Sequence, residues 1–139
     1  MSDGALRVSV GLLTDGVGRY LVNRRRPDTH MAGAWEFPGG KRRPGESADQ
    51  ALKRELNEEL GIAVLDAEPL LVITHDYGDR RVELDVFHVR EYSGTASSRE
   101  GQALRWVELA ELDRIGLLAA DRPIVERLRY EARLSTNSA

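Results

Sequence analysis

The chain has no cysteine among its 139 residues. That excludes disulfides, a thiolate nucleophile, thiolate zinc sites and iron–sulfur clusters together. A protein without thiols suits a reducing compartment. Long apolar runs are missing too: stretches such as Leu70 to Ile73 fall far short of the roughly 20 residues that cross a bilayer. No membrane span or membrane partner is expected. Met1-Ser2-Asp3-Gly4 has neither the charged nor the apolar region of a secretory signal, so the cytoplasm is the expected address. Positive charge is not in excess: the formal net charge is -3, which argues against binding polymeric nucleic acid, a task that wants a basic face. A small anion held by local basic residues is still allowed. Repeats, linkers and low-complexity segments are also absent. What is there, 41% hydrophobic and 31% charged residues, is the balance of a folded chain. At this length it predicts one domain over residues 1–139.

Along the chain, Val8, Val10 and Leu12 alternate, a turn follows at Thr14 to Gly18, and Tyr20, Leu21 and Val22 come next. This reads as a hairpin. From Arg24 to Gly45 the chain reads as irregular, with Pro27, Gly33, Pro38, Gly39 and Gly40, and so long a glycine-rich loop in a small domain is usually functional. Ser47 stands three residues before Gln50 in capping-box spacing, and Gly61 follows Leu60 as a stop, so a helix is predicted between them. Its buried stripe is Ala48, Ala51, Leu52, Leu56 and Leu60. Leu70 to His75, a turn at Tyr77-Gly78-Asp79, and alternating Val82, Leu84, Val86 and His88 predict a second hairpin. Ser93 to Gly101 reads as a polar loop, Trp106-Val107 as a short strand and Leu109 to Leu112 as a helical turn. Pro123 to Leu134 reads as a closing helix with Asp121 near its start, and Ser135 to Ala139 as a frayed end.

The predicted first helix carries Glu55, Glu58 and Glu59 at i, i+3 and i+4. Like charges at that spacing repel by a few tenths of a kcal/mol per pair, so something should compensate. Arg54 lies four residues before Glu58. Taken alone, the triplet reads either as a solvated acidic face or as a site for a hard divalent cation, which takes oxygen ligands and gathers phosphates.

The wider spacing is more specific. Gly40, Glu46, Arg54-Glu55-Leu56, Glu58-Glu59 and Gly61-Ile62 match the Nudix box over residues 40–62 without a departure, and the chain resembles the Nudix hydrolases. His30-Met31-Ala32, Trp35 to Lys41, Glu100-Gly101-Gln102 and Pro123-Ile124 are further similar to the MutT branch. The resemblance implies an α/β (α+β) fold, an α/β/α sandwich with a central mixed sheet. It implies a hydrolase dependent on Mg²⁺ or Mn²⁺ that cleaves a small nucleoside triphosphate, for this branch 8-oxo-dGTP. The oligomeric state stays open between monomer and homodimer.

By the same resemblance, Gly39, through its carbonyl, Glu58 and Glu59 would ligate metal. Glu55 would be a ligand or the general base, with Glu100 completing the cluster. Glu46 and Arg54 would pair and order the loop. Arg25, His30, Glu36, Phe37, Pro38, Gly39, Lys41, Arg80 and Asp121 match nucleotide-contacting positions. The alternatives are solvated charges for Lys41, Arg25 and Arg80, ordinary core for Phe37, and a helix cap for Asp121. Where the MutT branch has an asparagine before the last helix, this chain has Asp121. A protonated, buried aspartate would read oxidised guanine, whereas an ionised one would welcome a cytosine amino group, which makes CTP or dCTP the alternative substrate. A non-catalytic nucleotide-binding module is the reading from another class, and the intact glutamates speak against it.

Overall fold

The computed structural model describes residues 5–137; the readings made for Met1 to Gly4 and for Ser138 and Ala139 lie outside the described residues. The strongest local signal in the sequence is realised in full. The Ser47 hydroxyl accepts from the Gln50 N–H while the Gln50 side chain accepts from the Ser47 N–H, a complete capping box. Helix α1 (Ala48–Leu60) runs from there to Gly61, whose φ of 71° ends it in the left-handed region. Ala51, Leu52, Leu56 and Leu60 are fully buried, and Ala48 is partly so.

Strands β1 (Leu6–Leu12), β4 (Gly39–Lys41), β5 (Ala63–Asp76) and β6 (Arg81–Ser93) form one sheet in the order β4-β1-β6-β5. β1 and β6 are parallel and the other pairs antiparallel, so this sheet is mixed. A smaller antiparallel sheet joins β3 (Trp35–Glu36), β2 (Arg19–Arg24) and β7 (Leu104–Glu108) in that order. The expected opening hairpin is present only at its tip, where the antiparallel Thr14–Tyr20 bridge is flanked by bonds from the Asp15 N–H to the Arg19 carbonyl and from the Leu21 N–H to the Leu13 carbonyl, each 3.1 Å; β1 and β2 themselves then part into different sheets. Alternation specifies which face of a strand is buried and not which strand lies beside it. The stretch from Arg24 to Gly45 is also less irregular than expected, because it contributes β3 and β4, too short to show a period.

The β5–β6 hairpin is present and longer than expected, closed by a 2.8 Å bond from the Tyr77 N–H to the Arg80 carbonyl. Register shifts interrupt β5, one of them at Pro69/Leu71; an edge strand tolerates a proline that donates no ladder bond. Helix α2 (Arg122–Asn137) continues through Ser135 and Thr136, expected to fray, and the Thr136 hydroxyl donates to the Ala132 carbonyl at 3.0 Å.

Two helices cover opposite faces of the mixed sheet. Val10, Leu12, Leu84 and Val86 pack with Ile124, Val125 and Leu128 of α2. Phe87 and Val89, one position out of phase, pack with Leu52, Leu56 and Leu60 of α1. At Gly11 a Cβ would stand 2.8 Å from Leu56 Cδ1 and 3.1 Å from Leu52 Cδ1, so the missing side chain lets α1 sit close on β1. The result is the helix–sheet–helix sandwich that the resemblance implied, with the small second sheet added beside it. Among the described residues no helix is long and apolar enough to cross a membrane. Leu56→Ala is expected to cost about 2–5 kcal/mol of unfolding free energy, the range for emptying a buried leucine site. Urea melts measure it, and a cost under about 1 kcal/mol would mean that α1 is not seated in the core.

Candidate active site

One cavity of about 380 Å³ gathers residues from β1 to β4, α1, the β5–β6 tip, the Ser93–Gln102 loop and the turn before α2. Its acidic end is built by close backbone approach. At Gly39 a Cβ would collide with the Ser9 carbonyl of β1, and at Gly40 it would lie 2.2 Å from Glu55 Cδ. Only glycine there lets β4 pair with β1 while the Glu55 carboxylate fills the space in front of it.

Arg54 ties the loop to the helix. Its Nε and Nη2 donate to the two oxygens of Glu46 at 2.7 and 2.9 Å, Nη2 also to the Lys41 carbonyl at 2.9 Å, and Nη1 to Glu55 at 2.9 Å and Glu58 at 3.2 Å. Glu46 further accepts from the Arg43 N–H at 2.8 Å. The Arg54 bonds, followed by that backbone bond, lower the Glu46 carboxyl to about 2. The expected Glu46–Arg54 pair is thus present.

The three helix carboxylates share one side with unequal burial. Glu58 is exposed, and Glu55 and Glu59 are partly covered. Burial raises Glu55, opposed by the Arg54 bond. Burial, reinforced by Glu55, Glu36 and Glu100, pushes Glu59 up to about 8, although it accepts from the Gly39 N–H. Its Oε2 is buried with no partner.

Among the described residues no three carboxylate or imidazole groups already stand as a metal cluster; Arg54 holds Glu55 and Glu58 instead. The donor set nevertheless fits a divalent cation, since it is all oxygen. Glu59, crowded by like charge with one oxygen unpaired, has the environment a cation would relieve.

At the other end, Arg25 Nη1 pairs with Glu36 at 3.0 Å, and Arg25 Nε donates to the His30 carbonyl at 2.5 Å. Burial raises Glu36, against the opposing effects of Arg25 and Asn23. Asp121 is 3% exposed, and its Oδ2 accepts from the Phe37 N–H at 2.9 Å. It is not a simple helix cap. Burial, then the charge of Glu36, raises its carboxyl well above the ordinary aspartate value.

The cavity thus brings together Arg25, His30, Glu36, Phe37, Gly39, Lys41, Glu55, Glu58, Glu59, Arg80, Glu100 and Asp121. Pro38 does not line it: it is buried behind the wall, with its carbonyl accepting from the Gly11 N–H at 2.9 Å. Asn23, Gln102 and Tyr77 are among the lining residues that were not foreseen. Asn23 is 6% exposed with Oδ1 unpartnered, and no pattern marks a lone polar residue at a strand end. Gln102, 8% exposed, accepts from the Ser98 hydroxyl, and only its place in Glu100-Gly101-Gln102 hinted at it. Tyr77 reads in sequence as a turn residue and here lines the cavity.

Carboxylates suited to a cation and water, beside a glycine-lined rim with Arg25, Lys41 and Arg80, define a hydrolase site for a phosphate-bearing substrate. The comparisons agree. The chain belongs to the NUDIX domain family, whose model matches residues 9–127, and is a hydrolase of that family acting on acid anhydrides. Nudix hydrolases generally need a divalent metal. The chain is similar to the 8-oxo-dGTP diphosphatase of Escherichia coli (strain K12), 32% identical over 124 residues that cover 89% of this chain and 96% of that protein. It is also similar to the CTP pyrophosphohydrolase of the same organism, 38% identical over 117 residues, 84% of this chain and 87% of that one. Among solved structures, the MutT protein of Methanosarcina mazei Go1 matches with a TM-score of 0.82 at 27% identity, covering 95% of this chain and 98% of that one. The solution structure of the E. coli ORF135 protein matches at 0.79 and 35% identity, covering 91% and 89%.

Gly40→Ala is expected to push the Glu55 carboxylate out of place and lower metal-dependent turnover by about 10²-fold. Steady-state kinetics check this, and near-normal turnover would show that the Gly40–Glu55 approach is dispensable. Asp121 gives a pH signature. A raised native pKa means the folded state keeps a proton that the unfolded chain releases, so stability falls as pH rises from the ordinary value of 3.8 towards the native one. Asp121→Asn removes this loss. Its thermal midpoint relative to wild type should be higher at about pH 8 than at about pH 4; a difference independent of pH would mean an ordinary carboxyl.

Proposed function

We propose that the protein is a Mg²⁺- or Mn²⁺-dependent pyrophosphohydrolase that splits 8-oxo-dGTP into 8-oxo-dGMP and pyrophosphate, clearing an oxidised nucleotide from the pool used in DNA replication. The state of Asp121 carries the choice of base. Oxidised guanine presents an N7–H donor beside its O6 acceptor, so its reader needs an acceptor and a donor close together. Burial and Glu36 raise the Asp121 carboxyl, and in its protonated form that carboxyl is such a pair. With Oδ2 accepting from the Phe37 N–H, the proton falls on Oδ1, which donates to O6 while Oδ2 has a second lone pair for N7–H.

Glu58, Glu59 and the Gly39 carbonyl would hold the cation, with Glu100 completing the set. The chemistry it supplies when bound is neutralisation of phosphate charge and acidification of the attacking water. Glu55 or Glu100 accepts the proton from that water. Glu55, raised by burial, is a stronger base than a solvated glutamate. Lys41 and Arg25 pair with the anionic part of the nucleotide, His30 stands by the sugar, Phe37 packs on the base and Arg80 closes the rim. Glu36 orients Arg25 and raises the Asp121 carboxyl, and Pro38 backs the wall.

The second reading is CTP or dCTP as substrate, favoured by the CTP pyrophosphohydrolase relative and by what an ionised Asp121 would accept. The burial of Asp121 favours the first. The test is Mg²⁺-dependent pyrophosphate release from 8-oxo-dGTP, dGTP, CTP, dCTP and ADP-ribose, compared as kcat/KM. Expected are a large preference for 8-oxo-dGTP over dGTP and a fall of at least about 10²-fold in Glu59→Gln, which loses a ligand charge without core packing. A preference for the cytosine nucleotides would replace the first reading with the second. Binding without turnover would leave only a nucleotide-binding module.

A further inference from the structure

Tyr77 sits at the tip of the β5–β6 hairpin, where sequence pattern assigns it nothing beyond a turn. In the fold its hydroxyl reaches 43 residues along the chain and accepts from the Ala120 N–H at 2.9 Å. Ala120 is 1% exposed and belongs to the single 3-10 turn Ala119–Asp121, which precedes α2. An amide in a first turn has no carbonyl of its own helix to bond, and buried here it needs a partner from elsewhere. The next residue is Asp121, whose N–H bonds the Leu118 carbonyl at 2.9 Å and whose Oδ2 is held by the Phe37 N–H. Tyr77 is itself fixed: its N–H bonds the Arg80 carbonyl, and its ring meets His30 edge-on at 5.0 Å. One side chain therefore joins the hairpin tip, the His30 loop and the Asp121 turn at one end of the cavity.

We propose that Tyr77 is a positioning residue for base selection, its hydroxyl fixing the Ala119–Asp121 turn so that Asp121 meets the base in one geometry. This rests on Asp121 as the base-reading group. Without the hydroxyl, the Ala120 N–H is either buried unpaired or the turn opens to water, and a bound nucleotide must then rebuild the turn at the cost of an unsatisfied amide. Telling an N7–H from a bare N7 depends on where two oxygens stand, whereas Glu55 and Glu58 at the acidic end are held by Arg54, with no bond to that turn. The loss should therefore fall on selectivity and KM and spare kcat, a split that general destabilisation does not produce.

The test uses the full chain and Tyr77→Phe, with kcat and KM for 8-oxo-dGTP, dGTP and CTP and a thermal melt of each protein. In the variant, the kcat/KM ratio of 8-oxo-dGTP to dGTP should fall by about tenfold, the scale of a buried amide left unsatisfied. The change should lie in KM, with kcat for 8-oxo-dGTP within about twofold of wild type. An unchanged ratio, or an equal loss on every nucleotide together with a lowered thermal midpoint, would overturn the proposal. The wild-type measurements judge the substrate reading separately. If wild type prefers CTP, that reading fails, while a collapse of the CTP preference in Tyr77→Phe would still support the positioning role and an intact preference would overturn it.

Discussion

The Arg54 guanidinium touches three carboxylates and one backbone carbonyl, and the acidic end of the cavity depends on it. Glu55, Glu58 and Glu59 on one helix side would repel and splay into solvent if left to themselves. Arg54 supplies the opposing charge to Glu55 and Glu58 while its other edge grips Glu46 and the Lys41 carbonyl. A planar fork of five donors can hold loop and helix at once; a lysine, a point charge on a flexible stem, cannot. The glycines work with it. Gly40 leaves the volume that the Glu55 carboxylate occupies, so charge balance and steric fit set the same side chain.

The cavity holds more buried acid than the protein neutralises. The charge of Glu36 raises both Glu59 and Asp121, and Arg25 faces Glu36 as its ion-pair partner. Two remedies are available to a buried carboxyl: a cation, or a proton. Glu59 stands among other carboxylates, where a divalent ion relieves several at once. Asp121 stands against the Phe37 amide behind Phe37 and Ala120, where a proton is the smaller remedy. One excess of negative charge thus raises carboxyls at both ends of the cavity.

What was legible in the sequence is what short-range physics determines. The capping box at Ser47 and Gln50, the Gly61 stop and the Leu52-Leu56-Leu60 stripe each involve residues within two helical turns, and all are present. The Nudix-box spacing adds Glu46 and Arg54, which meet, and Gly40, which lies against Glu55, because that loop and helix are contiguous. Pairing between distant segments was not legible. β1 and β2 carry the alternation of a hairpin, yet each finds its partners elsewhere. Pro38 lies in a motif that faces the cavity on either side of it, but its own side chain turns into the core. Tyr77 reaches the Ala120 amide only because β5 and β6 extend far enough to bring their tip beside the turn before α2.

The departure at Asp121 shows why substrate is harder to read than chemistry. In the proposed reading a glutamate at a box position has the same task whether its carboxyl is somewhat raised or lowered, because a cation would make it a ligand in either case. The base-reading position has no such insurance. Aspartate in water is an acceptor only; at 3% exposure, where burial and Glu36 raise its carboxyl, the same residue is biased towards the protonated form, which both donates and accepts. On that reading the difference decides which base the position favours, and it follows from burial and from the charge of Glu36, a residue distant in sequence. In the proposed reading the chemistry follows from residue identity, whereas the preferred base follows from the burial of one carboxyl and the contacts that keep it there.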